Sequence, residues 1–361
     1  MYQLKSLFDF DFKRFDNIEI LKLLVDASTS LSFIKGKISS IPNPNILLNT
    51  LTLQESKTSN EVEGIITTND LLLQSKEINE NIDPSTKEVL RYHDALTIGM
   101  ESLKEKKGLI TNSIIIKIQN VLKDTNNGFR TLEGTALYNN YKEKIYNPPQ
   151  NSEEIKYLMD DLEKFINDSD NIQCNPLIKL AIIHHQFESI HPFTDGNGRT
   201  GRILNSLYLV KENLLPLPVL YLSRYFVRNK TLYYELLQKV RDEDAWEEWV
   251  LYFLKGIYTI SNRASVIIRA IYDLMKEYQS IIQDKHSFYK QDLVNALFEH
   301  PYITIENLRK RLGCSDPTAK KYLEALCQDE LLIKKKKGKK FIYINIELYN
   351  IFEDMDPIDK N

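Results

Sequence analysis

A mainly α-helical fold, with a β-hairpin projecting from it and a small winged helix-turn-helix towards the carboxy-terminal end, is what this sequence predicts. Three observations carry the expectation. Apolar residues recur at helical spacing almost everywhere from Ile18 to Leu274, as in Leu21-Leu24-Val25 and Leu177-Leu180-Ala181. The stretch Gly134 to Pro149, GTALYNNYKEKIYNPP, breaks that periodicity with β-prone residues on either side of a polar centre. Beyond about Leu274 the texture turns to short helices followed by lysine-rich strands.

Taken in chain order, apolar spacing from Ile46 onward makes a helix that Gly64 ends as a C-cap. Glu63 then falls in the last turn, where the helix dipole disfavours a carboxylate by about 0.3–1 kcal/mol, so it wants a cationic partner. The hairpin follows. Asn175-Pro176 opens a helix running to about Ile190, with proline in the first turn, where its missing N–H costs nothing. That helix ends near His191, and after a glycine-rich turn a second one, RTGRILNSLYLV, begins near Gly198. Further on, ENLRKRLGCSDPTAKKYLEALCQDELL reads as a helix, a Gly-Cys-Ser turn and a helix opening at Asp316-Pro317; the strands LLIKKK and KKFIYIN flank Gly338.

The chain has 361 residues, 42% of them hydrophobic, enough for one large core and a smaller second one. The opening residues lack the apolar run of a signal peptide, and no stretch approaches the roughly 20 apolar residues that cross a bilayer, which predicts a cytoplasmic protein without membrane contact. Cys174, Cys314 and Cys327 have no CxxC spacing, which argues against a disulfide framework and a cysteine zinc site. The formal net charge of −3 conceals an asymmetry: Ile303 to Lys340 holds eleven Lys or Arg against five Asp or Glu. A basic end module sits on an acidic body.

The segment with chemistry in it is His191-Pro192-Phe193-Thr194-Asp195-Gly196-Asn197-Gly198-Arg199-Thr200-Gly201-Arg202. Backbone N–H groups in such a turn, and at the N-terminus of the helix it feeds, bind phosphate oxygens. Gly196 and Gly198 let the backbone approach a ligand closely. Arg199 and Arg202, three apart on one helix face, suit a grip on successive phosphates. Asp195 offers a hard oxygen to Mg²⁺, and His191 is placed to take a proton from an attacking hydroxyl.

These twelve residues match the pattern HxFx(D/E)GNGRxxR, and the chain resembles the Fic family. IHHQFESIHPF, FRTLEGTALYNNYKEKIYNPPQ, YLSRYFVRNKTLYYELLQKVRDEDAWEEW and LTLQESKTSNEVEGI extend the resemblance over roughly residues 20 to 260. It implies a Fic-type helical bundle with a hairpin flap, and a protein adenylyltransferase moving AMP from ATP to a hydroxyl with release of pyrophosphate. His191 would be the base, Phe193 the loop's anchor and Asp195 the Mg²⁺ ligand. Gly196, Asn197, Gly198, Arg199, Thr200, Gly201 and Arg202 would form the ATP-binding set, with Tyr233 and Tyr234 at the adenine. Thr135, Ala136, Leu137 and Tyr138 of the flap would pair with a target segment. Ser59-Asn60-Glu61-Val62-Glu63-Gly64 matches the family's inhibitory pattern (S/T)xxxE(G/N), which implies that Glu63 pairs with Arg202 and blocks the γ-phosphate site, steadied by Ser59 and with Gly64 ending the helix. The expected division is residues 1–95 with the inhibitory helix, 96–262 the catalytic core, and 263–361 a linker helix and the winged module.

Two readings stay open for the basic module: nucleic-acid binding, with Lys320 and Lys321 on phosphates and the lysine hairpin as wing, or a protein-interaction and dimerisation surface. DNA-binding regulation by an ATP-sensing body, and removal of AMP with Glu63 aligning a water, are the alternatives to AMP transfer. Expected partners are a target protein with a Tyr, Thr or Ser acceptor, this chain itself as a target, and a second copy in a homodimer.

Overall fold

The computed structural model describes residues 4–41, 43–68, 83–138, 142–168, 172–337 and 340–354. Two 3₁₀ turns, Leu7–Asp9 and Phe12–Phe15, lead into α1 (Ile18–Ser40), whose start is fixed by the Asn17 side chain accepting the Ile20 N–H. α2 (Asn45–Val62), α3 (Pro84–Glu105) and α4 (Asn112–Lys123) follow. The hairpin is β1 (Leu137–Tyr138) and β2 (Lys144–Tyr146), antiparallel, with a bulge between Leu137 and Tyr138. Its centre, residues 139–141, lies outside the described residues. Then come α5 (Ser152–Asn167), α6 (Pro176–Ile190), α7 (Asn197–Lys211), α8 (Ser223–Arg228), α9 (Lys230–Glu243) and the long α10 (Trp246–Lys285).

α6 is the axle of the body. Every residue from Leu177 to Ile190 is buried, which only a helix surrounded on all sides can tolerate. Its polar residues are accommodated by partners: His184 lies 2.9 Å from the Tyr233 hydroxyl on one ring nitrogen and 2.9 Å from the Asn205 amide on the other, and His185 Nε2 lies 3.1 Å from Leu237 O. Burial pushes His184 down to about 3 and His185 well below the usual imidazole value, so both pack as neutral rings. Trp246 and Trp249 of α10 pack against these histidines, and Trp249 Nε1 donates to Ala181 O at 2.8 Å. α1 lies along α10, and α2 lies against α3, α7 and α8.

Beyond α10 come α11 (Gln291–Glu299), β3 (Tyr302–Ile303), α12 (Ile305–Leu312), α13 (Asp316–Gln328), β4 (Ile333–Lys337), β5 (Lys340–Ile344) and α14 (Ile346–Asp354). The three strands form one antiparallel sheet in the order β3-β5-β4, pairing Tyr302 with Ile344 and Ile333 with Ile344. The predicted helix, turn, helix and two strands are present; Gly338, expected at the tip, lies outside the described residues. β3 is an addition that the sequence reading lacked, a two-residue strand between helices. Ser315 caps α13 by accepting the Thr318 N–H, with Pro317 in its first turn.

Hydrogen bonds and apolar packing fasten this module to the body. Tyr278 of α10 donates to Leu331 O at 2.7 Å and to Asn345 Oδ1 at 3.0 Å. Leu53 of α2 is buried in a separate apolar cluster with Tyr302, Ile342 and Ile344, against which Leu90 and Tyr349 pack. The carboxy-terminal sheet thus covers one flank of the helix that carries Glu63. The division expected at 262/263 falls inside α10, which runs through it without a break. No helix among the described residues is long and apolar enough to cross a membrane.

Candidate active site

α6 ends at His191, whose backbone takes the left-handed conformation at φ 51° and donates its N–H to Phe187 O at 3.0 Å. The loop from Pro192 to Gly196 is then locked by Asn197. Its Oδ1 accepts the Phe193 N–H at 2.9 Å, and its Nδ2 donates to Phe193 O at 2.8 Å. Phe193 itself is buried between Phe129 and Phe187, which anchors the loop in the core. Gly196 turns at φ 77° into the first turn of α7. Arg130 holds the entrance, its N–H on Pro192 O at 2.8 Å and its Nε on His191 O at 2.9 Å.

Both loop arginines are buried, with side chains 3% and 2% exposed, and both are met by the end of α2. Arg202 Nη2 donates to Glu63 Oε1 at 2.8 Å and to Ser59 O at 2.9 Å, and its Nε to Ser59 Oγ at 2.8 Å. Arg199 Nη1 donates to Asn60 Oδ1 at 3.1 Å and to Glu88 Oε1 at 2.5 Å. Burial alone would depress the Arg202 guanidinium, but the charge of Glu63, the neighbouring tyrosines Tyr233 and Tyr92 and the Glu63 hydrogen bond together outweigh it and raise it. α2 is terminated as the sequence requires, with Gly64 at φ 80° and the Gly64 and Ile65 N–H groups returning to Glu61 O and Asn60 O at 3.0 Å each. A Cβ added to Gly198 would meet Glu63 Oε1 at 2.5 Å and Arg202 Nη1 at 2.9 Å. The Glu63 carboxylate therefore sits over the first turn of α7, where backbone N–H groups attract an anion.

His191 is half-buried. Burial pushes its imidazole down to about 4, with the nearby arginines adding to the effect. The neutral, proton-accepting form therefore persists across the physiological range. The sign follows from the depressed value: any activity that needs His191 as a base is expected to lose its His191-dependent part only as pH falls towards 4, rather than near 6.5, in a pH–rate profile of the Glu63→Gly variant. Glu188, one turn before His191, is pushed up to about 7 by burial, with Arg202 pulling it back.

Several expected placements change. Ser59 holds the Arg202 guanidinium through both its hydroxyl and its carbonyl, so it acts on the arginine of the pair. The Asn197 side chain spends both its polar groups on the loop backbone, so only its main chain faces the anion position. Thr200 is buried with its hydroxyl on Gln119 Oε1 at 3.1 Å. A Cβ at Gly201 would strike Glu188 Oε1 at 2.6 Å, so this glycine serves the close crossing of α7 and α6. Tyr233 is 2% exposed and belongs to the aromatic core around His184; Tyr234 beside it is 41% exposed and is the ring of this pair left open to a ligand.

On the hairpin, Leu137 and Tyr138 form β1 with the Tyr138 ring exposed, while the Thr135 carbonyl is already taken by Gln150 Nε2 at 2.9 Å and Ala136 is half-buried. Tyr146 of β2 donates to Ser189 O at 3.0 Å, fixing the hairpin to α6 two residues before His191.

Sequence reasoning missed a second ring of residues. Lys123 Nζ lies 2.6 Å from Asp195 Oδ2 and 3.3 Å from Glu88 Oε1, and Gln119 Nε2 donates to Asp195 O at 2.6 Å. Burial raises the Glu88 and Asp195 carboxyls, but the hydrogen bonds and charges of their cations outweigh it and leave both below the ordinary range. Gln119 and Lys123 stand one turn apart on α4, a spacing that placed them on one face but named no function.

Family models match three consecutive stretches of the chain: the Fic/DOC family N-terminal model over residues 21–101, the Fic/DOC family model over 109–209, and the protein adenylyltransferase SoFic-like C-terminal domain over 274–348. The chain belongs to the Fic/DOC family. Among solved structures, a Fic family protein from Desulfovibrio desulfuricans G20 superposes with a TM-score of 0.58 at 18% identity, covering 91% of this Fic/DOC chain and 96% of that one. Fic-1 (aa134–508) from Caenorhabditis elegans gives 0.55 at 18% identity over 69% of this chain and 74% of the other. At these identities the likeness is one of fold. Curated relatives include protein adenylyltransferase fic-1 of C. elegans, 34% identical over 80 residues, and protein adenylyltransferase Fic of Aedes aegypti, 29% identical over 96. These matches cover 22% and 27% of this Fic/DOC chain, and only 16% and 18% of the length of the relatives.

Proposed function

We propose that this protein transfers AMP from ATP to a hydroxyl side chain of a target protein and that Glu63 restrains it. The observation that carries the reading is the Glu63 carboxylate lying on Arg202 over the first turn of α7, in the place a terminal phosphate would take. An anion held there by the chain itself is a phosphate stand-in, so releasing it opens an anion site lined by two buried arginines. The names of the curated relatives support the same activity.

His191 takes the proton of the acceptor hydroxyl as its oxygen forms a bond to the α-phosphorus. The bond from that phosphorus to the bridging oxygen breaks, and pyrophosphate leaves. Arg199 and Arg202 hold the β- and γ-phosphates, and the α7 N-terminus faces the charge that develops. Asp195 suits a Mg²⁺ ion: it is an exposed, ionised carboxylate that already attracts a cation, the Lys123 ammonium. No cluster of three metal-ligating side chains exists among the described residues, and Asp195 would hold such an ion as a single carboxylate ligand, a mode that Mg²⁺ commonly accepts. Bound there, it would neutralise phosphate charge. The acceptor segment lies along β1, beside the exposed Tyr138.

Label position tests the reading. With the Glu63→Gly variant and Mg²⁺, protein bands are expected to take label from α-labelled ATP and none from γ-labelled ATP. Label from the γ position alone would make the protein a phosphotransferase and remove the AMP assignment.

A further inference from the structure

Glu88, Lys123, Arg199 and Asp195 form a closed ring of alternating charge. Arg199 Nη1 is 2.5 Å from Glu88 Oε1, Lys123 Nζ is 3.3 Å from that same oxygen and 2.6 Å from Asp195 Oδ2, and Asp195 Oδ1 returns to Arg199 Nη2 at 3.8 Å. α3 supplies Glu88 and α4 supplies Lys123. Neither residue belongs to the loop motif.

On the AMP-transfer reading, on which this inference rests, loading ATP turns Arg199 towards phosphate oxygens and Asp195 towards a metal ion. That step strands two groups whose side chains are 23% and 24% exposed: the Glu88 carboxylate and the Lys123 ammonium. A half-buried carboxylate left alone beside an incoming polyphosphate is costly twice, through lost solvation and through like-charge repulsion. The stranded groups already lie within ion-pair distance. We propose that Glu88 and Lys123 are an ion-pair exchange device for nucleotide loading, holding Arg199 and Asp195 as well as each other in the empty enzyme and only each other in the loaded one.

The exchange leaves every charge compensated at both ends. It also needs no backbone movement, because Gln119, one turn before Lys123, fixes both the Asp195 carbonyl and the Thr200 hydroxyl. The Lys123 stem packs along the loop, with Cδ and Cγ 3.3 and 3.4 Å from where a Cβ on Gly196 would stand. Its Nζ reaches both Asp195 Oδ2 and Glu88 Oε1 from there. Both are positioning residues, since neither touches the reacting atoms. The device is separate from Glu63, which approaches from α2 and engages the other arginine.

Binding rather than turnover reads it out. A parent chain carrying Glu63→Gly and His191→Ala is titrated with ATP and Mg²⁺, and compared with Lys123→Ala, Glu88→Gln, both together, and Lys123→Arg. Lys123→Ala is expected to weaken ATP binding about tenfold, a coupling of ordinary size for neighbouring charges. In the Glu88→Gln background the same change is expected to cost less than about twofold, because no carboxylate is stranded. Lys123→Arg should bind as the parent does. Equal losses from Lys123→Ala in both backgrounds would mean that Lys123 serves Asp195 alone and would overturn the exchange, as would no loss in either. A parent that binds no ATP would sink the transferase reading and this inference with it, whereas a parent that binds while the variants show no coupling sinks the exchange only.

Discussion

Glu63→Gly is expected to raise AMP incorporation on the order of 10²-fold, equivalent to about 3 kcal/mol at 1.4 kcal/mol per decade. On the proposed reading, ATP would displace in the intact chain a carboxylate that touches a guanidinium whose side chain is 2% exposed. The Glu63 side chain itself is 35% exposed, so breaking the pair costs less than breaking a fully buried one and more than breaking a surface pair, about 3 kcal/mol at most. Removing the carboxylate costs the enzyme little orientation, because Ser59 still holds the Arg202 Nε and Nη2 atoms from the same helix. Glycine at this position also keeps the helix end intact, since the turn is made by the backbone of Gly64 and Ile65. The measurement is incorporation of α-labelled ATP into a lysate and into the protein itself, with wild type and variant side by side. No gain would make Glu63 an ordinary helix-end partner of Arg202 and take the restraint out of the model.

The second large effect concerns His191. In the Glu63→Gly background, losing the imidazole is expected to cut transfer by about 10³-fold, within the range usual for a positioned general base. ATP affinity should stay within a few-fold, because the arginines and the α7 N-terminus do not depend on the ring. The backbone at His191 has φ 51°, where alanine is strained by roughly 1–2 kcal/mol. His191→Asn is the cleaner partner variant, because asparagine accepts that conformation and cannot act as the base. Persistent transfer by both variants, measured with the same label, would remove His191 from the proton-accepting role.

What the sequence made legible was whatever is written locally. The loop from His191 to Arg202 and the end of α2 are short contiguous stretches, and their backbone geometry follows from Gly196, Gly64 and the cap residues themselves. Helical periodicity also separates the roles within the first turns of α7. Arg199 and Arg202 share a face, while Thr200 and Gly201 point about 100° and 200° away from Arg199, into α4 and α6. Tyr233 was illegible for a different reason. Adjacent tyrosines on a helix look alike in sequence, and only the packing of α9 on α6 and α10 decides which one is buried. Glu88, Lys123 and Gln119 carry no local signature either, since their meaning arises where two other helices meet the loop.

α10 has a consequence for how the molecule comes apart. Its 40 residues span about 60 Å, with Trp246 and Trp249 wedged against the histidines of α6 at one end and Tyr278 tied to Leu331 and Asn345 at the other. One unbroken ladder of peptide hydrogen bonds runs between those two places, and a single apolar core is continuous along it. Melting either end would expose the apolar residues that pack on that stretch of the helix. A cut at residue 262 would therefore split one helix between the lysine-rich module and the rest of the chain.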